Sequence, residues 1–162
     1  MSDFTPETLK QLFEYKDGNL YWRDSNGRAK AGSLAGCSTN PDKYMRVRIN
    51  NKLYLLHRVI FFMHHGYFPK EVDHIDCDRR NNRIENLREA TGSQNQKNRG
   101  LPRNNTSGYK NVTWCKSVGK WQVGMSFKKK FKKIGFFDDI ELADLVAQEA
   151  RNKYHGEFVR HV

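Results

Sequence analysis

The sequence is poor in cysteine and proline, with three and four in 162 residues, and contains no CxxC pair. Cys37, Cys77 and Cys115 are odd in number and lie far apart. That pattern suggests neither a disulfide scaffold nor a Cys-ligated zinc site. No apolar run approaches the roughly 18 residues a membrane-spanning helix needs, and no long amphipathic basic helix offers itself to an anionic bilayer. The N-terminus, MSDFTPETLKQLFEY, carries acids early and lacks the apolar stretch of a signal peptide. The most telling absence is local: residues 90–137 hold eleven Lys or Arg and no Asp or Glu. These absences predict a reduced, cytoplasmic protein with no membrane partner.

What is present points to a polyanion. The formal charge is +11 and the pI about 9.7, which fits nucleic acid most simply. A long cationic segment between mixed-charge flanks reads as a binding surface, although a solvated basic face has the same composition. The length suits one ordinary domain or two small ones.

Periodicity divides the chain. Residues 5–15 predict a short helix, with Thr5 as N-cap, Pro6 at the first helical position and Leu9, Leu12 and Phe13 in register. Asp17-Gly18 is a turn, and NLYWR alternates like a strand. Residues 27–42 have a loop-like texture. YMRVRINNKLYLLHR reads as two extended runs joined at Asn50-Asn51, with Arg46 and Arg48 on one strand face and Met45, Val47 and Ile49 on the other. The apolar stretch from His57 to His65 suits a buried helix ended by Gly66. Residues 99–106 read as a linker, lacking hydrophobic periodicity. Beyond it, YKNVTWCK, KWQVGMSF and KKFKKIGFF read as three strands. ELADLVAQEARNKYHG follows as an amphipathic helix, with Leu142, Leu145, Val146, Glu149 and Ala150 in register. The expected fold class is therefore α+β, divided as residues 1–98, a linker at 99–106 and a small module at 107–162.

The chemistry is concentrated in VDHIDCDRRNNRIENLREATGSQNQKN, residues 72–98. Asp73 offers a hard oxygen ligand, His74 titrates near neutral pH, and Asn95 offers a neutral oxygen. On a strand Asp73 and His74 point to opposite faces, so a following loop must bring their functions together. Asp76 to Asn82 is such a loop, dense in residues that bond their own backbone. Asn86 to Ala90 reads as the return strand, and Thr91 or Ser93 as the cap of a short helix carrying Asn95 back.

Asp73-His74 followed by Asn86 and Asn95, 12 and 21 residues beyond the histidine, resembles the HNH motif of the His-Me-finger (ββα-metal) nucleases. The wider run from His57 to Asn98 is similar to HNH homing endonucleases of phages and mobile introns. The resemblance implies a ββα-metal nuclease domain, here with a strand-rich N-terminal extension. It implies His74 as general base, and Asn86 as a brace that orients it. Asp73 and Asn95 would be the ligands of a single Mg²⁺ or Mn²⁺, and cleavage would leave a 5′-phosphate and a 3′-hydroxyl. Cys77 stands where the family commonly has glycine, which predicts an altered loop without lost activity.

Arg58, Arg79, Arg80, Arg83 and Arg88 surround the motif as candidate phosphate contacts, while Arg88 can equally pair with Glu85 or Glu89. His57, His64 and His65 can be read as a second metal site, or as core and surface residues.

Residues 107–158, with Gly-x-x-x-Val-x-Trp, Lys-Trp, Gly-x-Phe and then an alanine-containing helix, resemble the plant ethylene-response-factor DNA-binding domain. That implies a three-stranded antiparallel sheet packed on one helix, the sheet entering the major groove. The implied DNA-facing set is Lys110, Trp114 and Lys116 on the first strand, with Lys120 and Gln122 from the second. Lys128, Lys130 and Lys132 would supply phosphate contacts. The predicted function is a metal-dependent endonuclease acting on double-stranded DNA as a monomer or weak dimer, phage- or mobile-element-encoded. A non-enzymatic DNA-binding regulator is the rival, and an RNA-binding protein a third reading.

Overall fold

A computed structural model describes residues 4–38, 44–98, 100–102, 104–127 and 130–155. The chain divides into two compact units, Met1–Gly92 and Ser93–Val162, so the division falls ahead of the linker expected at 99–106.

The first unit opens with helix α1 (Pro6–Leu12). Thr5 caps it reciprocally: the Thr8 N–H donates to the Thr5 hydroxyl, and the Thr5 N–H donates to the Thr8 hydroxyl. The helix is shorter than expected. Phe13–Lys16 instead forms strand β1, antiparallel to β2 (Asn19–Trp22). The cause is the tight turn at Asp17 and Gly18, both at positive φ (49° and 81°), which folds the two strands together. Gly18 has a second reason to be glycine. A Cβ there would meet the Arg83 backbone nitrogen at 2.7 Å, so this turn backs directly onto the loop that carries the motif. Within the glycine-rich stretch, Leu34–Ala35 adds a two-residue strand β3 beside β2.

Strands β4 (Arg46–Ile49) and β5 (Lys52–Leu55) form the expected hairpin across Asn50 and Asn51, which take φ values of 46° and 62°. Helix α2 (Leu56–His65) buries Leu56, His57, Val59, Ile60, Phe61, Phe62 and Met63, and Gly66 ends it in the left-handed region. Strand β6 (Glu71–His74) pairs antiparallel with β7 (Leu87–Ala90), after a short 3₁₀ turn at Ile84–Asn86. Core residues from α1, β1, β2, β4, α2, β6 and β7 form one cluster, so the β6–β7 hairpin is anchored to the same apolar body as α2.

A short helix α3 (Gly92–Lys97) runs across the division, with all but its first residue in the second unit. Strands β8 (Val112–Cys115), β9 (Lys120–Phe127) and β10 (Lys130–Phe137) then form an antiparallel sheet in the order β10-β9-β8. A bulge interrupts β10 between Lys133 and Gly135. Helix α4 (Ile140–His155) starts at Asp139, whose side chain accepts from the Leu142 N–H.

Two expectations change here. Tyr109 to Asn111 form a turn rather than strand, with Asn111 at φ 68°, so Lys110 lies outside the β8 alternation. The buried stripe of α4 is Ala143, Ala147 and Ala150, whereas Leu142 and Leu145 are exposed. Hydropathy favoured the leucines, but the helix turns Ala143 and Ala147 to the sheet, with Ile140 and Val146 packed beside them. The β9–β10 turn and Gly156 lie outside the described residues, as does Lys128.

Candidate active site

Asp73 and His74 are adjacent on β6, both buried, and alternation sends them to opposite faces. Each is held by a different partner. Asp73 lies opposite Arg88 in the β6–β7 register. Its Oδ2 accepts both from Arg88 Nε at 3.0 Å and from Nη2 at 2.9 Å. Arg88 thus pairs with Asp73, because cross-strand pairing places the two side chains on one face.

His74 is opposite Leu87, on the face that joins the core. Its Nε2 lies 3.0 Å from Oδ1 of Asn82, which is itself buried. The amide orientation of Asn82 follows from its other contact, since Nδ2 donates to the Arg80 carbonyl at 3.2 Å. Oδ1 can only accept, so the proton of neutral His74 resides on Nε2 and the lone pair on Nδ1. One hydrogen bond therefore selects the nitrogen able to take a proton.

The loop between the strands is stiffened by its own side chains. Asp76 Oδ1 accepts from the Asp78 N–H at 2.8 Å and from Asn86 Nδ2 at 2.8 Å, and Oδ2 accepts from Asn81 Nδ2 at 2.6 Å. The Asp76 N–H donates to Asn86 Oδ1 at 3.0 Å, and Asn86 Nδ2 also donates to the Asn81 carbonyl at 2.7 Å. Partial burial opposes ionisation of Asp76. Hydrogen bonds from Asn81, Asn86 and the Asp78 N–H, together with nearby His74, nevertheless hold its carboxyl below the ordinary range. From behind, the Ile84 N–H donates to the Tyr15 hydroxyl at 3.0 Å. Cys77 adopts φ 64°, the left-handed conformation that favours glycine.

His57, on α2, packs edge-on against His74 with ring centroids 4.9 Å apart. Tyr44 lies 4.9 Å from His57 and 5.8 Å from His74, nearly parallel to the latter, and Arg79 sits 5.1 Å over the Tyr44 ring. Burial, with His74 and Arg58 nearby, pushes the His57 pKa down to about 3, so its ring is neutral at physiological pH. Asn82 and Tyr44 escaped sequence reasoning. Asn82 was legible only as a turn former, and nothing in the spacing connects Tyr44 with His74.

The other predicted residues are distributed unevenly. Arg46 and Arg48 are exposed on β4, with Val47 and Ile49 buried between them. Arg79 and Arg80 are exposed in the loop. Arg58 turns to its own chain, donating to the carbonyls of Pro69 at 2.8 Å and Lys70 at 3.1 Å. Asn95 sits on α3, in the second unit. His64 and His65 are exposed, and the His64 ring Nδ1 meets the Ile60 carbonyl.

In the second unit, register separates two sheet faces. Val112 and Val123 join Ala143 and Ala147 in the core, so the face carrying Val112, Trp114, Trp121, Val123 and Met125 is the one α4 covers. Trp114 extends past that cover and is 43% exposed. Lys132 is on the same side, with its ammonium on the Tyr154 hydroxyl at 2.7 Å, and Lys130 shares that face by alternation. The uncovered face carries Thr113, Lys120, Gln122, Ser126, Phe131 and Lys133. Of the set implied by the resemblance on the first strand, Trp114 shares the helix side with Val112, and Lys110 donates to the Lys97 carbonyl at 2.7 Å. Lys116 is exposed in the β8–β9 turn, while Lys120 pairs with Asp138 at 2.9 Å.

Residues 54–97, from β5 through α3, match the HNH endonuclease family. The chain is also 32% identical to Protein 3.8 of Escherichia phage T7 over 95 residues, 59% of this chain and 75% of that protein. The chain belongs to the HNH endonuclease family. No solved structure matches it. No helix among the described residues is long and apolar enough to cross a membrane.

Proposed function

We propose that this chain is a metal-dependent endonuclease that hydrolyses phosphodiester bonds in double-stranded DNA, with His74 as general base. The observation that carries the reading is the His74–Asn82 hydrogen bond on a buried strand beside Asp73. The Nε2–H contact assigns the proton of the neutral ring to Nε2, so Nδ1 is the nitrogen that carries the lone pair. Nδ1 takes the proton of the attacking water as its oxygen bonds to phosphorus, and the 3′-oxygen leaves. Products are a 5′-phosphate and a 3′-hydroxyl. Asn86 holds the loop in shape through Asp76, and Asn82 sets the tautomer.

The donor chemistry fits a hard divalent cation, Mg²⁺ or Mn²⁺. Among the described residues no group of three or more His, Cys, Asp or Glu gathers at one point. Asp73 offers a carboxylate oxygen of the kind Mg²⁺ accepts while keeping waters, and Asn95 is retained as the second ligand on the strength of the motif alone. Arg88 holds one Asp73 oxygen and fixes the carboxylate's direction. A cation on Asp73 would supply positive charge to the scissile phosphate and the leaving oxygen.

The basic second unit is proposed to bind the duplex, its resemblance to the ethylene-response-factor domain suggesting the major groove. Lys120 and Gln122 are the best placed of the candidate residues, lying on the uncovered face. Arg46, Arg48, Arg79 and Arg80 are proposed as further phosphate contacts. The homing-endonuclease type and a phage or mobile-element role in the host cell belong to the same proposal.

The test is incubation of the purified protein with supercoiled plasmid in Mg²⁺, in Mn²⁺ and in EDTA, beside His74→Ala. Metal-dependent nicking or linearisation that disappears in His74→Ala is the expected result. Tight binding with no cutting in either metal would favour the DNA-binding regulator.

A further inference from the structure

His57 is a buried polar side chain that the proposed reaction does not use. It is 4% exposed, and its Nδ1 has no hydrogen-bond partner. An unsatisfied buried nitrogen is costly, and a leucine on this apolar helix would avoid that cost. Something other than packing of α2 therefore accounts for a flat ring here. Its neighbours supply the reason. The His57 ring meets His74 edge-to-face at 4.9 Å and 63°, while Tyr44 lies 5.8 Å from His74 at 30°, close to parallel. His57 and Tyr44 also touch each other, at 4.9 Å. Two rings thus contact His74 in two different orientations, and Asn82 holds its Nε2.

We propose that His57, together with Tyr44, is a positioning residue: the two rings form a clamp that fixes the plane of His74, keeping Nε2–H on Asn82 and Nδ1 toward the attacking water. This rests on His74 being the general base. A hydrogen bond to one ring nitrogen does not by itself define the plane of the imidazole, and aromatic rings against it in two orientations do. Catalytic rate is sensitive to small misplacements of this kind. Because His57 Nδ1 bonds to nothing, it is the shape of the ring that matters and not its nitrogen. The ring must also stay uncharged beside a histidine that acquires a proton, and burial ensures that. Arg79 lies over the Tyr44 ring at 5.1 Å and adds to the packing of the second wall.

The test uses the full chain with two readouts. The first is the imidazole nitrogen shifts of His74 by NMR, which report the tautomer whether or not the protein cuts DNA. The second is kcat and KM for cleavage of supercoiled plasmid in Mg²⁺. His57→Asn keeps a polar side chain but removes the ring. It should average the two tautomers of His74 and lower kcat by about 30- to 100-fold, with KM within about twofold. His57→Phe restores a ring without nitrogens, and should return the single Nε2–H tautomer and kcat to within about threefold of the parent. Parental shifts and kcat in His57→Asn would overturn the clamp. So would His57→Phe as impaired as His57→Asn, because the nitrogen would then be the essential part. If His57→Asn does not fold, Tyr44→Ala opens the other wall from a less buried position, and unchanged His74 shifts there overturn the proposal equally. A parent chain that cuts no DNA would defeat the nuclease reading alone, since the nitrogen shifts still decide the clamp.

Discussion

In the first unit the loop after β6 is immobilised by side chains that bond its own backbone, with Asp76, Asn81 and Asn86 closing on one another and Tyr15 pinning Ile84 from behind. In the second unit three strands rest on a helix through a core of Val112, Val123, Ala143 and Ala147, and the polar side chains of the other face are left uncovered. The difference matches the division of labour proposed above. Proton transfer needs one nitrogen in one place, which requires buried, mutually satisfied polar groups. Holding a polyanion needs charge spread over area, which tolerates mobile lysines and a small core. The basic segment without a single acid falls mostly in the second unit, and the carboxylate-rich loop falls entirely in the first.

The comparison is broken most severely at His74. His74→Ala should lower the cleavage rate by about 10³-fold or more while leaving the affinity for duplex DNA within about twofold, measured by fluorescence anisotropy beside plasmid nicking. Loss of both together would mean that the two units do not divide the work.

Acid should damage the first unit selectively. His57 has a folded pKa of about 3, below the ordinary value of 6.5. The unfolded chain then binds more protons between these values. The stability contributed by the buried neutral ring is complete above pH 6.5 and is lost as pH falls toward 3, by an amount that approaches about 4 kcal/mol. Urea unfolding across that range should show the slope, and His57→Phe should flatten it.

A smaller loss is expected on removing the partner of a buried carboxylate. Arg88→Ala leaves Asp73, 5% exposed, without its guanidinium, and should cost about 3 kcal/mol of stability in urea melts. A cost under about 1 kcal/mol would show that Asp73 is solvated in solution.

The two faces of the second unit can be separated by single substitutions. Gln122→Ala, on the uncovered face, should weaken binding by about 1 kcal/mol, whereas Trp114→Ala, on the helix side, should change it by less than about 0.3 kcal/mol. The reverse order would put the helix side of the sheet against the DNA.

The mildest effect is at the loop itself. Cys77 at φ 64° carries left-handed strain of about 1 kcal/mol, part of which glycine gives back through the freer unfolded chain. Cys77→Gly should therefore stabilise by about 0.5 kcal/mol, read as a small rise in the urea midpoint, with cleavage unchanged.

Much of the architecture was legible because local signals agreed with one another. The Asn50-Asn51 hairpin, the α2 helix ended by Gly66 and the three strands followed by α4 are all where turn chemistry and periodicity put them. The failures came where tertiary contacts overruled a local preference. Phe13 continues a helical stripe, yet the turn at Asp17-Gly18 recruits it into β1. Leu142 and Leu145 dominate the hydropathy of α4, yet the sheet lies against its alanines. Lys110 reads as part of a strand, yet Asn111 takes a left-handed conformation and the chain turns there.

The sequence by itself determined the chemistry on offer: an Asp-His pair with two later asparagines in fixed order, and a cationic segment free of acids. Residue type and spacing suffice for that, because which atoms donate, accept or titrate is a property of the side chains alone. Only the tertiary structure decided the arrangement. Asn82 took His74, Arg88 took Asp73, and His57 and Tyr44 came to wall the imidazole. Those pairings depend on strand register and on which helix face is buried, and both are settled by packing across stretches of chain that share no local pattern.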